Sequence, residues 1–379
     1  MSGWPQGFSA GVAHCGLKSN GDPELALISS LGPCAAAAVF TRNLVCAAPV
    51  QLCREILQQV PTVGGVLINS KNANAVTGPQ GMIDARQLAQ QAAQKCHLSS
   101  PMLVMSTGII GQPMPMAAYQ EGLERMQLGA SPEQVARAMM TTDTYPKVVF
   151  REEQGTRWLG LAKGAGMIHP DMATLLALVI TDANLPQPQM QAALESANDV
   201  SFHCITVDGD SSTNDSLLFL ANARHHQTPE NWPQILSDIL KQLAQMVAFD
   251  GEGARHCVTL RVKGLADDAQ ARQLGRTVLT SPLVKTAIAG KDANWGRILA
   301  AAGRAGVPFD PTQASLHWNG LALLDQGQPT NPGAPAEQAA VQPSEVALEL
   351  RLGSGPGQAE LWSCDLTHDY ISINGDYRS

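Results

Sequence analysis

Hydrophobic and polar positions along this chain switch between two periods, and the switches outline the elements. Short continuous or alternating apolar runs predict strands at 35–41, 65–69, 102–105, 175–180, 217–220 and 258–262. Residues 147–150 and 158–161 flank Glu152-Glu-Gln-Gly155 and predict a hairpin. Helical spacing is clearest in Ile235, Leu236, Ile239, Leu240, Leu243, Met246 and Val247, which share one face. Ser131-Pro-Glu-Gln134 supplies a cap, a first-turn proline and a Gln three positions on, so a helix starts there and buries Val135, Ala138 and Met139. Further helices are expected at 188–199, across most of 266–303 with breaks near Ser281-Pro282 and Gly290, and from a cap at Asp84 through Leu88, Ala92 and Cys96. A short alternation spans 202–207, and another at 370–373 predicts a strand that docks the C-terminal end. Residues 346–352 and 359–364 predict a hairpin, and the Pro-, Gly-, Gln- and Ala-rich 326–343 a surface loop. Strands mixed with helices in this order predict an α+β fold.

Composition narrows the class. The chain has 379 residues, room for two domains or one large interwoven one. Aromatics make up only 4%, so the core must be built from Ala, Val, Leu, Ile and Met. A net charge of −8 without a basic block argues against nucleic acid and against an anionic membrane surface as partners. No apolar run reaches the length of a membrane span, and residues 1–8 carry no secretory-signal pattern, so the expectation is a cytoplasmic protein. The eight cysteines are dispersed, with neither a CxxC pair nor zinc-ligand spacing, and read as reduced thiols; no metal is expected. His256-Cys257, an adjacent His/Cys pair, opens a strand and reads as structural.

The candidate chemistry centres on Thr174, which follows Ala173 and precedes the apolar run 175–180. One reading is a Thr that simply opens a buried strand. The other is a backbone cut before Thr174, which would free an α-amine of pKa about 8 beside its own hydroxyl, a base that an internal Thr lacks. Thr107-Gly108 follows a strand on a tight loop, where a hydroxyl and an N–H could face an oxyanion, although any turn could use the same dipeptide. Lys163 precedes Gly164 and Gly166 but fits neither GxxxxGK[ST] nor GxGxxG; it is a surface cation or a holder of a substrate carboxylate. Glu252, between two glycines at a helix end, is exposed or receives a cationic group. Asn69, Asn72 and Asn74 form a turn or contact a polar ligand. Asp208, Asp210 and Asp215 lack the twelfth-position Glu of a calcium loop, and no GxSxG elbow is present.

Several stretches together resemble the ornithine acetyltransferase family, the glutamate N-acetyltransferases of arginine biosynthesis. They include Asn69-Ser-x-Asn-Ala-Asn74, Ser106-Thr-Gly-x-Ile-Gly111, Thr141-Thr-Asp-Thr144, Lys163-Gly-x-Gly-Met167, Met172-Ala-Thr174, Ser212-Thr-Asn-Asp215, Asp250-Gly-Glu-Gly253 and Asn374-x-Asp-Tyr-Arg378, and they run in order through nearly the whole chain. The resemblance implies a layered α/β sandwich whose core is shared by two halves of a self-cleaved chain, with a smaller C-terminal α/β region. It implies cleavage between Ala173 and Thr174 into an α chain, 1–173, and a β chain, 174–379, assembled as α2β2 or larger. It makes Thr174 the nucleophile, Thr107 and Gly108 the oxyanion donors, and Thr141 (or its neighbour Thr142), Lys163, Glu252, Asn374 and Ser379 the substrate site. The implied reaction is ping-pong acetyl transfer from N2-acetylornithine to glutamate without a cofactor, and acetyl-CoA stays open as a second donor. The alternatives are an amidohydrolase or aminopeptidase of the related self-cleaving class, with water as acceptor, and a non-catalytic binding protein. The chain departs from the family pattern at Lys291, Ala293, Gly375 and Ser379, where Arg, Pro, Ala and Thr are common.

Overall fold

The computed structural model describes residues 3–169 and 175–376. Its larger sheet contains β1 (Phe8–Ala13), β2 (Leu25–Phe40), β3 (Thr62–Asn69), β4 (Met102–Ser106), β5 (Gln127–Leu128), β6 (Lys147–Glu153), β7 (Thr156–Lys163), β8 (Leu176–Thr181) and β9 (Ser216–Ala221). The order is β4-β3-β2-β9-β8-β7-β6, with β1 also paired to β2 and β5 paired to β1. The smaller sheet runs β13 (Gln328–Pro329), β12 (Leu321–Asp325), β11 (Ser315–Trp318), β14 (Glu345–Arg351), β10 (Cys257–Gly264), β15 (Gly355–Cys364). The helices are α1 (Ala48–Gln59), α2 (Gly78–Lys95), α3 (Met116–Arg125), α4 (Pro132–Met139), α5 (Gln187–Asp199), α6 (Trp232–Phe249), α7 (Asp268–Leu279), α8 (Pro282–Ala289), α9 (Trp295–Gly303), α10 (Ala334–Ala340) and α11 (His368–Asp376).

The long strand β2 organises the larger sheet. Its start, Leu25, pairs with Asn69 of β3, and its end, Phe40, pairs with Ser216 of β9. A straight strand of that length would separate these two levels by about 50 Å. Yet the side chain of Asn214, two residues before Ser216, donates to the carbonyl of Ser106, which is level with Asn69. The sheet must therefore fold back along β2, and the register breaks between Ser29 and Cys34, where Leu31-Gly32-Pro33 leaves the ladder. Pro33 has no N–H to give to a neighbouring strand. The fold-back makes an α+β sandwich. Helices α1 and α2 pack on β3 and β4 of one half, α5 and α6 on β2, β6 and β7 of the other, and α4 touches strands of both.

Side-chain alternation fits this layering. Leu176, Leu178, Ile180, Leu218 and Leu220 belong to the core shared with α1–α4, while Ala177, Val179, Leu217 and Phe219 belong to the core under α5 and α6. Each fully buried Leu, Ile or Phe adds roughly 1.5–3 kcal/mol, so both faces of β8 and β9 contribute. Helix α6 lies directly on β7, because a Cβ on Gly160 would come within 2.5 Å of Ile239 Cγ2. The other side of α6 packs on β10 and β15, which joins the smaller sheet to the same core.

Several expectations change. Residues 346–352 and 359–364 are not a hairpin, because β10 inserts between β14 and β15, parallel to the first and antiparallel to the second. Residues 370–373 lie in α11, not a strand, and Ile371 is exposed. A 3-10 turn at Phe202–Cys204 breaks the alternation of 202–207. Helix α2 starts at Gly78-Pro79, so Asp84 lies inside it rather than at its cap. The stretch 326–343 contains β13 and α10.

One buried ion cluster pins three loops. Lys147, at the head of β6, is fully buried and donates to Asp143 Oδ1 at 2.7 Å and Asp250 Oδ2 at 2.6 Å. Its ammonium also sits 4.9 Å from the centre of the Tyr145 ring. Asp143 further accepts from the Gly164 N–H at 2.6 Å and the Thr141 N–H at 3.1 Å, and Asp250 from the Thr144 N–H at 3.0 Å and the Thr144 hydroxyl. The cluster thereby ties the loop after α4, the end of β7 and the end of α6 together.

Two outcomes follow for stability. Lys147→Met leaves two buried carboxylates without a cation and should cost about 3–5 kcal/mol in urea titration, whereas the triple change Lys147→Met, Asp143→Asn, Asp250→Asn should recover much of that loss. Ser131 and Gln134 form a reciprocal capping box at α4. Ser131→Ala should lower unfolding free energy by about 1 kcal/mol with an unchanged denaturant slope; an unchanged midpoint would show that the cap contributes nothing.

Candidate functional site

A cleft opens where the polar ends of these strands meet. Thr107, Gly108, Thr141, Thr142, Lys163, Glu252 and Asn374 all line it, so residues from five separate stretches of chain come together. Both Thr141 and Thr142 face it. Ala173, Thr174 and Ser379 lie outside the described residues. Their described neighbour Leu175 is held by its carbonyl, which accepts from the Ser216 N–H at 3.1 Å beside the wall formed by Ser212, Thr213 and Asn214.

Thr107 and Gly108 sit on the turn after β4. The turn is pressed against Lys71 and Asn72: a Cβ on Gly108 would lie 2.3 Å from the Lys71 carbonyl carbon, and its φ is +131°. Only glycine fits such an approach. The turn is fixed from below by Ser106 Oγ donating to Asn69 Oδ1 and by Asn69 Nδ2 donating to the Asn72 carbonyl at 2.8 Å. The three asparagines are thus chiefly structural, since Asn74 Nδ2 donates to the Gly81 carbonyl and Asn72 Nδ2 to Pro113.

Lys163 ends β7 and is buried, not a surface cation. Its Nζ donates to Thr107 Oγ1 at 3.2 Å. A hydroxyl that accepts from an ammonium keeps its own hydrogen to donate elsewhere. Burial pulls the Lys163 pKa down, and Asp143, Glu252 and Asp215 oppose that pull while Lys147 adds to it. For Asp143 burial acts upward, but Lys163 and Lys147 prevail and hold the carboxyl down to about 2. Asp215 is buried behind the wall with one oxygen unpartnered, and burial raises its pKa well above the ordinary value.

Glu252 is buried rather than exposed. Its N–H donates to the Ala165 carbonyl at 2.9 Å, and its carboxylate accepts from Asn374 Nδ2 at 2.7 Å. Its carboxyl group lies 2.4 Å from where a Cβ on Gly166 would be, so a side chain there would push the carboxylate out of this position. The cleft thus offers a cation, an anion and hydroxyl donors to a small zwitterionic ligand. Reading the sequence quoted Gly166, Ser212–Asn214, Asp143 and Asp250 within motifs but assigned none of them to the site, and it gave Lys147 no role beyond a strand. The local signal they carry is position: polar or glycine-containing runs that lie directly before or after apolar strands. Among the described residues no group of three or more His, Cys, Asp or Glu is placed to hold a metal, and no helix is long and apolar enough to cross a membrane.

Comparison with known proteins gives one answer. The profile of the ArgJ family matches residues 9–379. The arginine biosynthesis bifunctional protein ArgJ of Thermosynechococcus vestitus is 42% identical over 418 residues, covering 100% of both chains. The mitochondrial protein of that name from Sordaria macrospora is 40% identical, covering 99% of this chain and 89% of its own. A crystal structure of arginine biosynthesis bifunctional protein argJ from Bacillus halodurans matches 53% of this chain and 98% of its own at 36% identity and a TM-score of 0.50. The chain belongs to the ArgJ family.

Proposed function

We propose that this chain is an acetyltransferase of arginine biosynthesis that carries the acetyl group of N2-acetylornithine to glutamate through an ester on Thr174. The observation that carries the reading is the meeting of Lys163, Glu252 and Thr107 in one cleft beside Leu175, the residue bonded to Thr174. Lys163 takes the α-carboxylate that donor and acceptor share. Glu252 takes the side-chain ammonium of the ornithine portion. The relatives named for arginine biosynthesis support the substrate class.

In the first half, Thr174 Oγ bonds to the acetyl carbonyl carbon and the amide C–N bond breaks. The Thr174 α-amine takes the hydroxyl proton and passes it to the departing α-amine of ornithine. The Thr107 hydroxyl and the Gly108 N–H receive the developing oxyanion, where one donor is worth roughly 3 kcal/mol. In the second half the α-amine of glutamate attacks the ester and Thr174 regains its proton. Cleavage between Ala173 and Thr174 supplies the amine. The two resulting chains, 1–173 and 174–379, stay joined because β8 and β9 lie between β2 and β7 in one ladder. The reading needs no cofactor.

Intact mass of the wild type beside Thr174→Ala tests the nucleophile. Two fragments meeting at Ala173/Thr174 are expected in the wild type alone, with acetyl exchange to glutamate reduced to background in the variant. One uncut chain in both samples would sink the mechanism. Acetate released in place of N-acetylglutamate would identify a hydrolase, and N-acetylglutamate formed from acetyl-CoA would establish the second donor. Glu252→Gln should raise KM for N2-acetylornithine about tenfold or more, a charged hydrogen bond being worth roughly 1.5–3 kcal/mol, and should change KM for glutamate much less.

A further inference from the structure

We propose that Asp143 is a positioning residue for the carboxylate-binding corner: it fixes the backbone on either side of the cleft and supplies the negative charge that keeps Lys163 in place as a cation. The inference rests on the reading of Lys163 as the group that takes a substrate carboxylate. Asp143 does not line the cleft. It stands behind, with one carboxylate oxygen on the Gly164 N–H and the other on the Thr141 N–H. Gly164 follows Lys163 directly, and Thr141 is a wall residue, so a single side chain holds two edges of the same corner.

The charges around Lys163 explain why a carboxylate is needed rather than any acceptor. Asp143 reaches it from the loop after α4, Lys147 from β6, Glu252 from the loop after α6 and Asp215 from the segment before β9. Glu252 is committed to the opposite end of the ligand and to Asn374. Asp215 lies with one oxygen unpartnered, and burial raises its pKa well above the ordinary value. Lys147 repels. Asp143, held in its anionic form by the two lysines, is the remaining source. Lys147 is shared with Asp250, which lets Asp143 serve both cations. A nearby opposite charge favours the protonated form of an ammonium, and the Asp143 carboxylate is tied to the backbone N–H of Gly164, the residue bonded to Lys163. Replacing Asp143 by a neutral isostere should therefore lower the pH at which Lys163 loses its proton.

The test uses the full chain, matured, as wild type and Asp143→Asn. Calorimetric titration with glutamate gives Kd across about pH 7–9, and acetyl exchange gives KM and kcat over the same range. Expected for the variant are a Kd and KM raised about tenfold at neutral pH, with kcat falling less, and a further alkaline loss of affinity that starts about one pH unit or more below that of the wild type. A Kd within twofold of the wild type with the same pH profile would overturn the proposal. So would weakened binding that is equal at every pH, since a packing defect alone does that. If the D143N chain does not fold, the wild-type titration decides: Kd constant through this range is expected, and a Kd that already rises from neutral pH overturns the proposal. If the wild type binds glutamate but exchanges no acetyl group, the reaction reading fails while the Kd comparison still decides the role of Asp143.

Discussion

The fully buried ammonium of Lys147, held between Asp143 and Asp250, is the constraint on which the rest of the cleft depends. Removing three charges from water costs several kcal/mol for each, and an apolar replacement of the same shape is often as stable. Such a cluster is therefore a poor explanation of stability and a good one of geometry. Lys147 has three N–H donors, and it meets two carboxylates and a ring face. The carboxylates spend their other lone pairs on backbone N–H groups of Thr141, Thr144 and Gly164. No loop in this set can move alone without leaving a buried charge unmet. The loops before β6, after β7 and after α6 are thus held in one arrangement, and they carry Thr141, Lys163 and Glu252.

The fold-back of β2 sets the other half of the cleft. It stacks the end of β4 against the start of β9, so that Asn214 reaches the Ala73 and Ser106 carbonyls and closes the seam. The apolar strands stop at this seam, and polar loops begin at it: Asn69–Asn74 after β3, Ser106–Gly108 after β4, Gly164–Met167 after β7 and Ser212–Asp215 before β9. Every one of these loops is packed tightly enough that backbone groups need partners from the protein. The amides and hydroxyls there serve the scaffold first, and the groups left over, including the hydrogen of the Thr107 hydroxyl, face the cleft.

Local pattern revealed what local physics determines. The 175–180 and 217–220 runs are buried on both faces, and continuous hydrophobicity is the signature of that state. Ser131 to Gln134 announces its cap because the whole motif lies within four residues. Failures occur where the deciding partner is remote. Residues 346–364 read as a hairpin because nothing in them shows that β10, some ninety residues earlier, takes the central place. Tyr370-Ile-Ser-Ile373 alternates, but four residues fit a helix as well, and the exposed Ile371 never finds a sheet. Asp143 and Lys147 are four apart on a turn entering a strand, a spacing without meaning until Asp250 arrives from α6. Thr107, Lys163, Glu252 and Asn374 were each weak signals, and motif order, more than any of their own neighbourhoods, singled them out.

The two glycines that touch the cleft show how closely shape and charge are coupled. At Gly108 a side chain would strike the Lys71 backbone, and at Gly166 it would occupy the space of the Glu252 carboxyl. The first brings an N–H against the wall; the second lets a carboxylate lie against the chain that leads from Lys163. The backbone that carries the anion is tied to the segment that carries the cation, because the Ala165 carbonyl accepts the Glu252 N–H. A change that moves the 163–167 segment must shift both poles together. That linkage explains why a cleft drawn from so many separate stretches of sequence needs only one buried ion cluster to hold its charged ends in register.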